Sequence, residues 1–388
     1  MKRLELGIVP ERPGVLPEKM LAWVIRPERE GEPRKAMQVE DMPVPEVGPN
    51  EVLVLTMAAG VNFNGVWAAR GLPVSTIKMH PSEPFHIAGS DSSGIVWKVG
   101  SEVRRWKPGD HVITHCNQSC GHCAECNGLD PMACEQQKIW GYESNWGSFA
   151  QFHKVQAQQL LAKPTHLSWE ESASYGLTFF TAYRMLIDQA DLKAGDNVLI
   201  WGAAGGLGIF AIQICRLVGA NPIAVIGSSD KEPLVRELGA SMIIDRKKFD
   251  FSKGTEASRA FGSEIRKLTG GKDPDIVFEH VGKETFPTSV LVAKRFGKIV
   301  ICGATSGYEL NFDVRYLWMR QKQIIGSHFA NAYQAERANR LIIEKKIRPV
   351  LDQVFPFERT AEAHQLMHEN KHKGKLGIRV QAPQATVG

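Results

Sequence analysis

No stretch of this 388-residue chain approaches the ~20 consecutive apolar residues that a bilayer-spanning helix needs, so no membrane span is expected. The first residues, Met1-Lys-Arg-Leu-Glu-Leu, carry an early acid and no apolar run, which argues against a secretory signal. Seven cysteines, an odd count without such a signal, argue against a disulfide framework, and the expected location is cytoplasmic. Charge of one sign is also scarce: 47 Lys+Arg face 42 Asp+Glu, and the net +5 is spread along the sequence. Nucleic-acid binding is therefore not indicated, although the mild excess suits an anionic small ligand. Internal repeats and low-complexity segments are missing too. What remains is an ordinary globular composition, 43% hydrophobic and 23% charged, with length enough for two domains.

Residues 20–25, 37–40, 51–56, 94–99 and 110–114 are short runs rich in Val, Ile and Leu, separated by turns bearing proline or glycine. They predict a β-rich first domain. The character changes at Ser168-Trp-Glu-Glu171, a capping-box pattern that predicts a helix through Ala173 and beyond. From residue 197 strands alternate with helices. Strands are expected at 197–201, 222–226, 242–244, 275–279, 297–302 and 323–327; helices at 208–218, 231–238, 260–269, 284–295 and 332–346. That alternation predicts an α/β fold with a doubly wound parallel sheet. Residues 354–357 and 377–380 read as strands returning to the first domain. The expected boundaries are 1–182, 183–332 and 333–388.

The strand Asn197-Val-Leu-Ile-Trp201 runs into Gly202-Ala203-Ala-Gly205-Gly206-Leu207-Gly208, and helical periodicity follows. A glycine-dense turn between strand and helix offers backbone N–H groups and a positive helix end to a pyrophosphate, so a dinucleotide site is expected there. An NAD site would place an acid after the next strand, to accept from the ribose 2′-hydroxyl. Here Gly227-Ser228-Ser-Asp-Lys231 follows instead. Room at Gly227, the Ser228 hydroxyl and the Lys231 charge favour a 2′-phosphate, hence NADPH, with Arg246 as a second cationic candidate. Thr178 and Cys302 join the candidate coenzyme set, although Cys302, like Cys215, also reads as a core residue.

Cys120-Gly-His-Cys123-Ala-Glu-Cys126 followed by Cys134 lets one loop wrap a tetrahedral ion. Four thiolates fill every position, so the expected Zn2+, in a lobe spanning about residues 116–135, is structural and not catalytic. Cys116 lies outside the quartet.

With the lobe, the glycine turn and the returning C-terminus in place, nearly the whole chain resembles the medium-chain dehydrogenase/reductase superfamily, whose first domain is GroES-like and whose coenzyme domain is Rossmann-type. The equivalents of the zinc alcohol dehydrogenases' catalytic ligands look like Asn62, Gly89-Ser-Asp91 and Ser174-Tyr-Gly176. Neither Asn62 nor Ser90 is a plausible zinc ligand, which leaves alkoxide stabilisation by a metal without its ligands. Within the superfamily, long strings resemble the crotonyl-CoA carboxylase/reductase family. They are Met57-Ala-Ala-Gly-Val-Asn-Phe-Asn-Gly-Val-Trp67, Ile139-Trp-Gly-Tyr-Glu-Ser-Asn-Trp-Gly147, Asp275-Ile-Val-Phe-Glu-His280, Arg315-Tyr-Leu-Trp318, Ile325-Gly-Ser-His-Phe-Ala-Asn331 and Asn370-Lys-His-Lys-Gly-Lys375. The chain departs from the family in its four-cysteine lobe, in Tyr142 where Phe is usual, and in a shorter segment between Trp67 and His86.

The resemblance implies hydride delivery from NADPH to the β-carbon of an enoyl-CoA, then capture of the enolate by CO2 or by a proton. It assigns the family's CO2-binding asparagine to Asn64, with Asn62 the nearby alternative. A further contact falls to the peptide around Tyr142, and Glu143 and His328 would position a water. Blander readings stand beside these. Asn before Gly is turn chemistry, a histidine at a strand end is often a core residue, and Glu143 can be a surface charge. The Tyr142 hydroxyl either reaches the pocket, where a held water would favour protonation, or points to solvent. Arg315 and the basic segment 371–375 are candidate CoA contacts, the latter equally a solvated face. A homo-oligomer, tetramer or dimer, is implied. The alternatives are an enoyl-CoA reductase that does not carboxylate and a coenzyme-binding relative without activity.

Overall fold

The computed structural model describes residues 3–383. The chain forms two compact units. One holds the residues up to Leu177 with Asn331–Ile343 and the chain from Arg348 onward; the other holds Thr178–Ala330 and Glu344–Ile347.

The first unit is organised on the strand Glu51–Val61. Its side chains alternate between two cores. Val52 and Val54 pack with Val96, Val112, Trp140, Val155 and Leu160 on one face. Leu53, Leu55 and Met57 pack with Trp97 and Phe152 on the other. Because both faces are covered, the strand reads as an unbroken apolar run where a half-exposed one would alternate. It pairs antiparallel with Ser92–Val99, Phe152–Gln156 and Lys375–Arg379. The sheet continues through His111–Thr114 to Leu160–Ala162 on one side and through Leu351–Pro356 on the other. Lys19–Ile25 and Met37–Pro43 form a separate antiparallel pair. The Ser168 capping box is present, but its helix, Trp169–Ser172, stops after one turn. Helix resumes only at Gly176–Tyr183, so the expected uninterrupted run is corrected.

The second unit carries a six-stranded, all-parallel sheet in the spatial order Met242–Asp245, Asn221–Ile226, Asn197–Ile200, Ile276–Glu279, Lys298–Ile301, Gln323–Gly326. In chain order that is 3-2-1-4-5-6, the doubly wound arrangement the alternation predicts, with its switch point at the end of the first strand. One face packs Leu199, Ile223, Val225, Val277 and Ile299 against Phe261 and Phe286. Trp201 stacks on Phe261 with centroids 5.0 Å apart and planes 10° off parallel. Helix Thr255–Thr269 starts five residues before its expected position, after a tight turn at Phe251–Lys253. Among the described residues no helix is long and apolar enough to cross a membrane.

Candidate active site

Gly202 and Gly208 explain the glycine turn. Gly202 has φ +57°, and a Cβ there would lie 2.9 Å from the His280 ring. A Cβ on Gly208 would fall 2.5 Å from the Ala203 Cα, so only glycine lets helix Gly208–Val218 start this close to the strand. Its N-cap is Leu207, and no side chain caps the first turn, which leaves that end suited to an anion. Gly205 N–H donates to the Gly202 carbonyl, closing the turn. Nothing lies within 4 Å of where a Cβ on Gly227 would stand, so the strand end beside Ser228 is open. Lys231 sits in the single turn Ser229–Lys231, ahead of helix Glu232–Leu238. Arg246 is paired with Glu284 at 2.9 Å. Thr178 Oγ1 is buried with no hydrogen-bond partner, an orphan that a coenzyme amide or hydroxyl would satisfy. Cys302 is half-buried and its thiol is pushed up to about 12 by burial; Cys215 is fully buried in the core.

Asn62 and Asn64 are not in a turn. They open helix Phe63–Arg70, which Gly71 ends in the left-handed conformation. Asn62 is its N-cap residue, yet the side chain makes no capping bond. Its Nδ2 instead donates to Asp91 Oδ2 at 2.8 Å, and its Oδ1 accepts from Lys375 Nζ. Asn64, also buried, donates from Nδ2 to Ser90 Oγ at 2.6 Å. One consecutive pair, Ser90-Asp91, thus holds both asparagines. Lys375 Nζ donates further to the Val61 carbonyl at 3.0 Å and to Asp91 Oδ2 at 3.3 Å. Three acceptors around one nitrogen require the charged ammonium. Burial pushes the Asp91 carboxyl up and the Lys375 ammonium down, each countered by the other's charge. Leu177 N–H donates to the remaining oxygen, Asp91 Oδ1, at 2.5 Å.

This overturns the reading of 371–375 as a uniform basic face: Lys375 is a buried residue heading the strand Lys375–Arg379. Lys375 and Asp91 are the residues sequence reasoning missed. The available signal was a lysine at the head of an apolar strand, and an acid in Gly89-Ser-Asp91.

Glu143 is half-buried, and its Oε2 accepts from the Ile139 N–H at 2.7 Å, closing the turn that carries Tyr142. The Tyr142 ring packs on the first unit's core, and its hydroxyl donates to the Leu72 carbonyl at 2.9 Å. The two expectations for that hydroxyl, pocket water or solvent, are thereby corrected: it is tethered to backbone. His328 lies in the second unit, just past Gln323–Gly326, with an exposed outer face. Its imidazole is held below the ordinary range by burial of its inner side and by the Arg184 cation. Arg315 is exposed and forked onto both carboxylate oxygens of Asp313.

The four sulfurs of Cys120, Cys123, Cys126 and Cys134 lie within 4.8 Å of one another, with Cys120 and Cys126 3.9 Å apart. Thiolates on a tetrahedral zinc at ~2.3 Å stand about 3.8 Å apart, so the quartet fits the ion. The His122 and Cys123 amides donate to Cys120 Sγ, which suits a thiolate. Cys116 is buried outside the quartet.

Residues 48–165 match the family model "Alcohol dehydrogenase GroES-like domain" and residues 206–344 match "Zinc-binding dehydrogenase". A crotonyl-CoA carboxylase/reductase of Cereibacter sphaeroides is 51% identical over 395 residues, covering 98% of this chain and 91% of that protein. A solved crotonyl-CoA carboxylase/reductase superposes with TM-score 0.93 at 50% identity, covering 99% of this chain and 93% of its own. A 2-octenoyl-CoA carboxylase reductase, solved with NADP and 2-octenoyl-CoA, gives TM-score 0.92 at 39% identity, covering 96% and 90%.

Proposed function

The chain belongs to the crotonyl-CoA carboxylase/reductase family of the medium-chain dehydrogenase/reductase superfamily, and from that membership we propose NADPH-dependent reductive carboxylation of an enoyl-CoA to an alkylmalonyl-CoA. NADPH, when bound, supplies hydride to the enoyl β-carbon, and the electron pair collects on the α-carbon and thioester oxygen. CO2 carries no net charge, so the protein must hold it by hydrogen bonds to its oxygens and keep water out.

The observation that carries the carboxylation reading is Asn64. Its carboxamide is buried and fixed by Ser90, with a second amide hydrogen left to donate. Each asparagine keeps one amide hydrogen, but the Asn62 carboxamide is clamped at both ends by charged groups, Asp91 and Lys375. Asn64 is held at its nitrogen by a neutral hydroxyl, so between the two the CO2 role is assigned to Asn64. The peptide at Tyr142 is a second proposed contact, and Glu143 orients that turn. The role of His328, holding a water, rests on the resemblance. For the coenzyme, Gly202 through Gly208 take the pyrophosphate, Thr178 and Cys302 stand on the nicotinamide side, and Ser228, Lys231 and Arg246 serve the 2′-phosphate. Arg315 is assigned to CoA.

The cysteine quartet holds a structural zinc. The exposed edge strand Gln323–Gly326, which carries Ile324 and follows the exposed Trp318 and Met319, supports a homo-oligomer formed through this edge. A cytoplasmic location accords with seven cysteines of which none forms a disulfide. The test is mass analysis of the products from crotonyl-CoA, NADPH and 13C-bicarbonate. Labelled ethylmalonyl-CoA is expected; butyryl-CoA alone would leave a simple reductase, and no turnover a binding protein.

A further inference from the structure

Asp91 and Lys375 are each 1% exposed in their side chains, and between them they engage Val61, Asn62 and Leu177. Such a pair is an expensive way to fill space, since apolar residues of similar volume serve stability as well or better. Its geometry supplies direction. Asn62 is held by the carbonyl oxygen on one side and the amide nitrogen on the other, so its carboxamide cannot flip without breaking both bonds. That clasp fixes Asn62, the N-cap of helix Phe63–Arg70, by bonds to residues outside the helix, where an N-cap side chain would ordinarily bond the helix's own first-turn amides. Asn64 is two residues further on, and its only side-chain anchor among the described residues is Ser90, the neighbour of Asp91.

We infer that Lys375 and Asp91 are positioning residues for the carboxylation step, orienting the Asn64 carboxamide through Asn62 on one side and Ser90 on the other. A donor to CO2 works only within a few tenths of an ångström of its productive place. Protonation of the enolate needs no such alignment, because water is small and abundant. Loosening the clasp therefore moves the partition between carboxylation and simple reduction, besides any effect on stability. The inference rests on the assignment of CO2 to Asn64.

The experiment uses the full chain with crotonyl-CoA, NADPH and 13C-bicarbonate, and reads the ratio of ethylmalonyl-CoA to butyryl-CoA together with the KM for CO2. Three variants are compared: Asp91→Asn with Lys375→Met, which removes both charges at once; Ser90→Ala; and Asn64→Ala. All three should lower the ratio roughly fivefold or more and raise the KM for CO2, however much total NADPH oxidation slows. A double variant that melts cooperatively with an unchanged ratio overturns the inference. Where the double variant does not fold, an unchanged ratio in Ser90→Ala overturns it. An unchanged ratio in Asn64→Ala removes instead the site assignment beneath it, and the inference falls with that assignment.

Discussion

Lys375 Nζ lies 3.3 Å from Asp91 Oδ2 with both side chains almost fully buried, 284 residues apart in sequence. The pair joins the head of the C-terminal strand to the segment before Ser92–Val99. Removing one partner leaves the other's charge in a low dielectric. Lys375→Met alone should therefore cost about 3–5 kcal/mol in urea unfolding, whereas adding Asp91→Asn should recover most of that loss. A purely additive second loss would mean that the two groups do not interact.

Buried histidines make stability depend on pH. His86, His153 and His364 are fully buried, and desolvation lowers them to about 4, 3 and 4, below the 6.5 of an exposed imidazole. The unfolded chain protonates first, so between these values the unfolded state binds more protons and stability falls as pH falls. Stability should be level above pH 7 and drop from about pH 6.5 to 4, by up to about 4 kcal/mol per pH unit if all three titrate together. Urea midpoints across that range provide the measurement; a flat profile would contradict the burial of these rings as neutral bases.

Much of this architecture is legible in the chain because its causes are local. In the strand–glycine–helix unit at 197–218 the turn closes locally, Gly205 onto the Gly202 carbonyl and Gly208 against Ala203, though His280 sets the room at Gly202. The Ser168–Glu171 box closes on itself. The cysteine quartet is readable for the same reason. Lys375 is not, since within Lys-His-Lys-Gly-Lys it looks like solvated charge, and only a distant acid makes its burial affordable. The Tyr142 hydroxyl is likewise set by a carbonyl 70 residues away. Asn62 and Asn64 read as a turn because Asn-Gly usually is one. Their helix is short, and what holds its start is Asp91, Lys375 and Ser90, not its own sequence.

Removing any one of the four cysteines should abolish the zinc proposed for the lobe without touching catalytic chemistry directly. Cys123→Ser should abolish stoichiometric zinc, measured by elemental analysis, and lower the melting temperature by several degrees, since a structural zinc contributes folding energy. Asp130 Oδ1, within the lobe, accepts from Asn331 Nδ2 at 3.0 Å, so loosening the lobe should also reach the start of helix Ala332–Ile343. Undiminished zinc in Cys123→Ser would exclude a four-thiolate site.

Of the residues proposed for the 2′-phosphate, Lys231 is the first to test. Lys231 stands in the turn after Asn221–Ile226, where Gly227 leaves room and no acid closes the strand. Lys231→Ala should raise the KM for NADPH about tenfold or more and leave that for NADH within about twofold, the signature of a lost phosphate contact. Equal changes for both coenzymes would move the 2′-phosphate elsewhere, with Arg246 the next residue to substitute.

Where the resemblance leads to the expectation of Phe this chain has Tyr142, and its hydroxyl is committed to the Leu72 carbonyl. A water held by that hydroxyl would favour protonation of the enolate, and Tyr142→Phe would then increase carboxylation. The tether predicts the opposite outcome, an unchanged ratio of ethylmalonyl-CoA to butyryl-CoA with and without bicarbonate. The loss should appear as about 1 kcal/mol of stability, the usual net worth of one hydrogen bond. It should also speed amide exchange around Leu72, whose carbonyl the hydroxyl holds. A rise in carboxylation on removing this oxygen would place it in the pocket after all, and the Leu72 contact would then be one that substrate binding breaks.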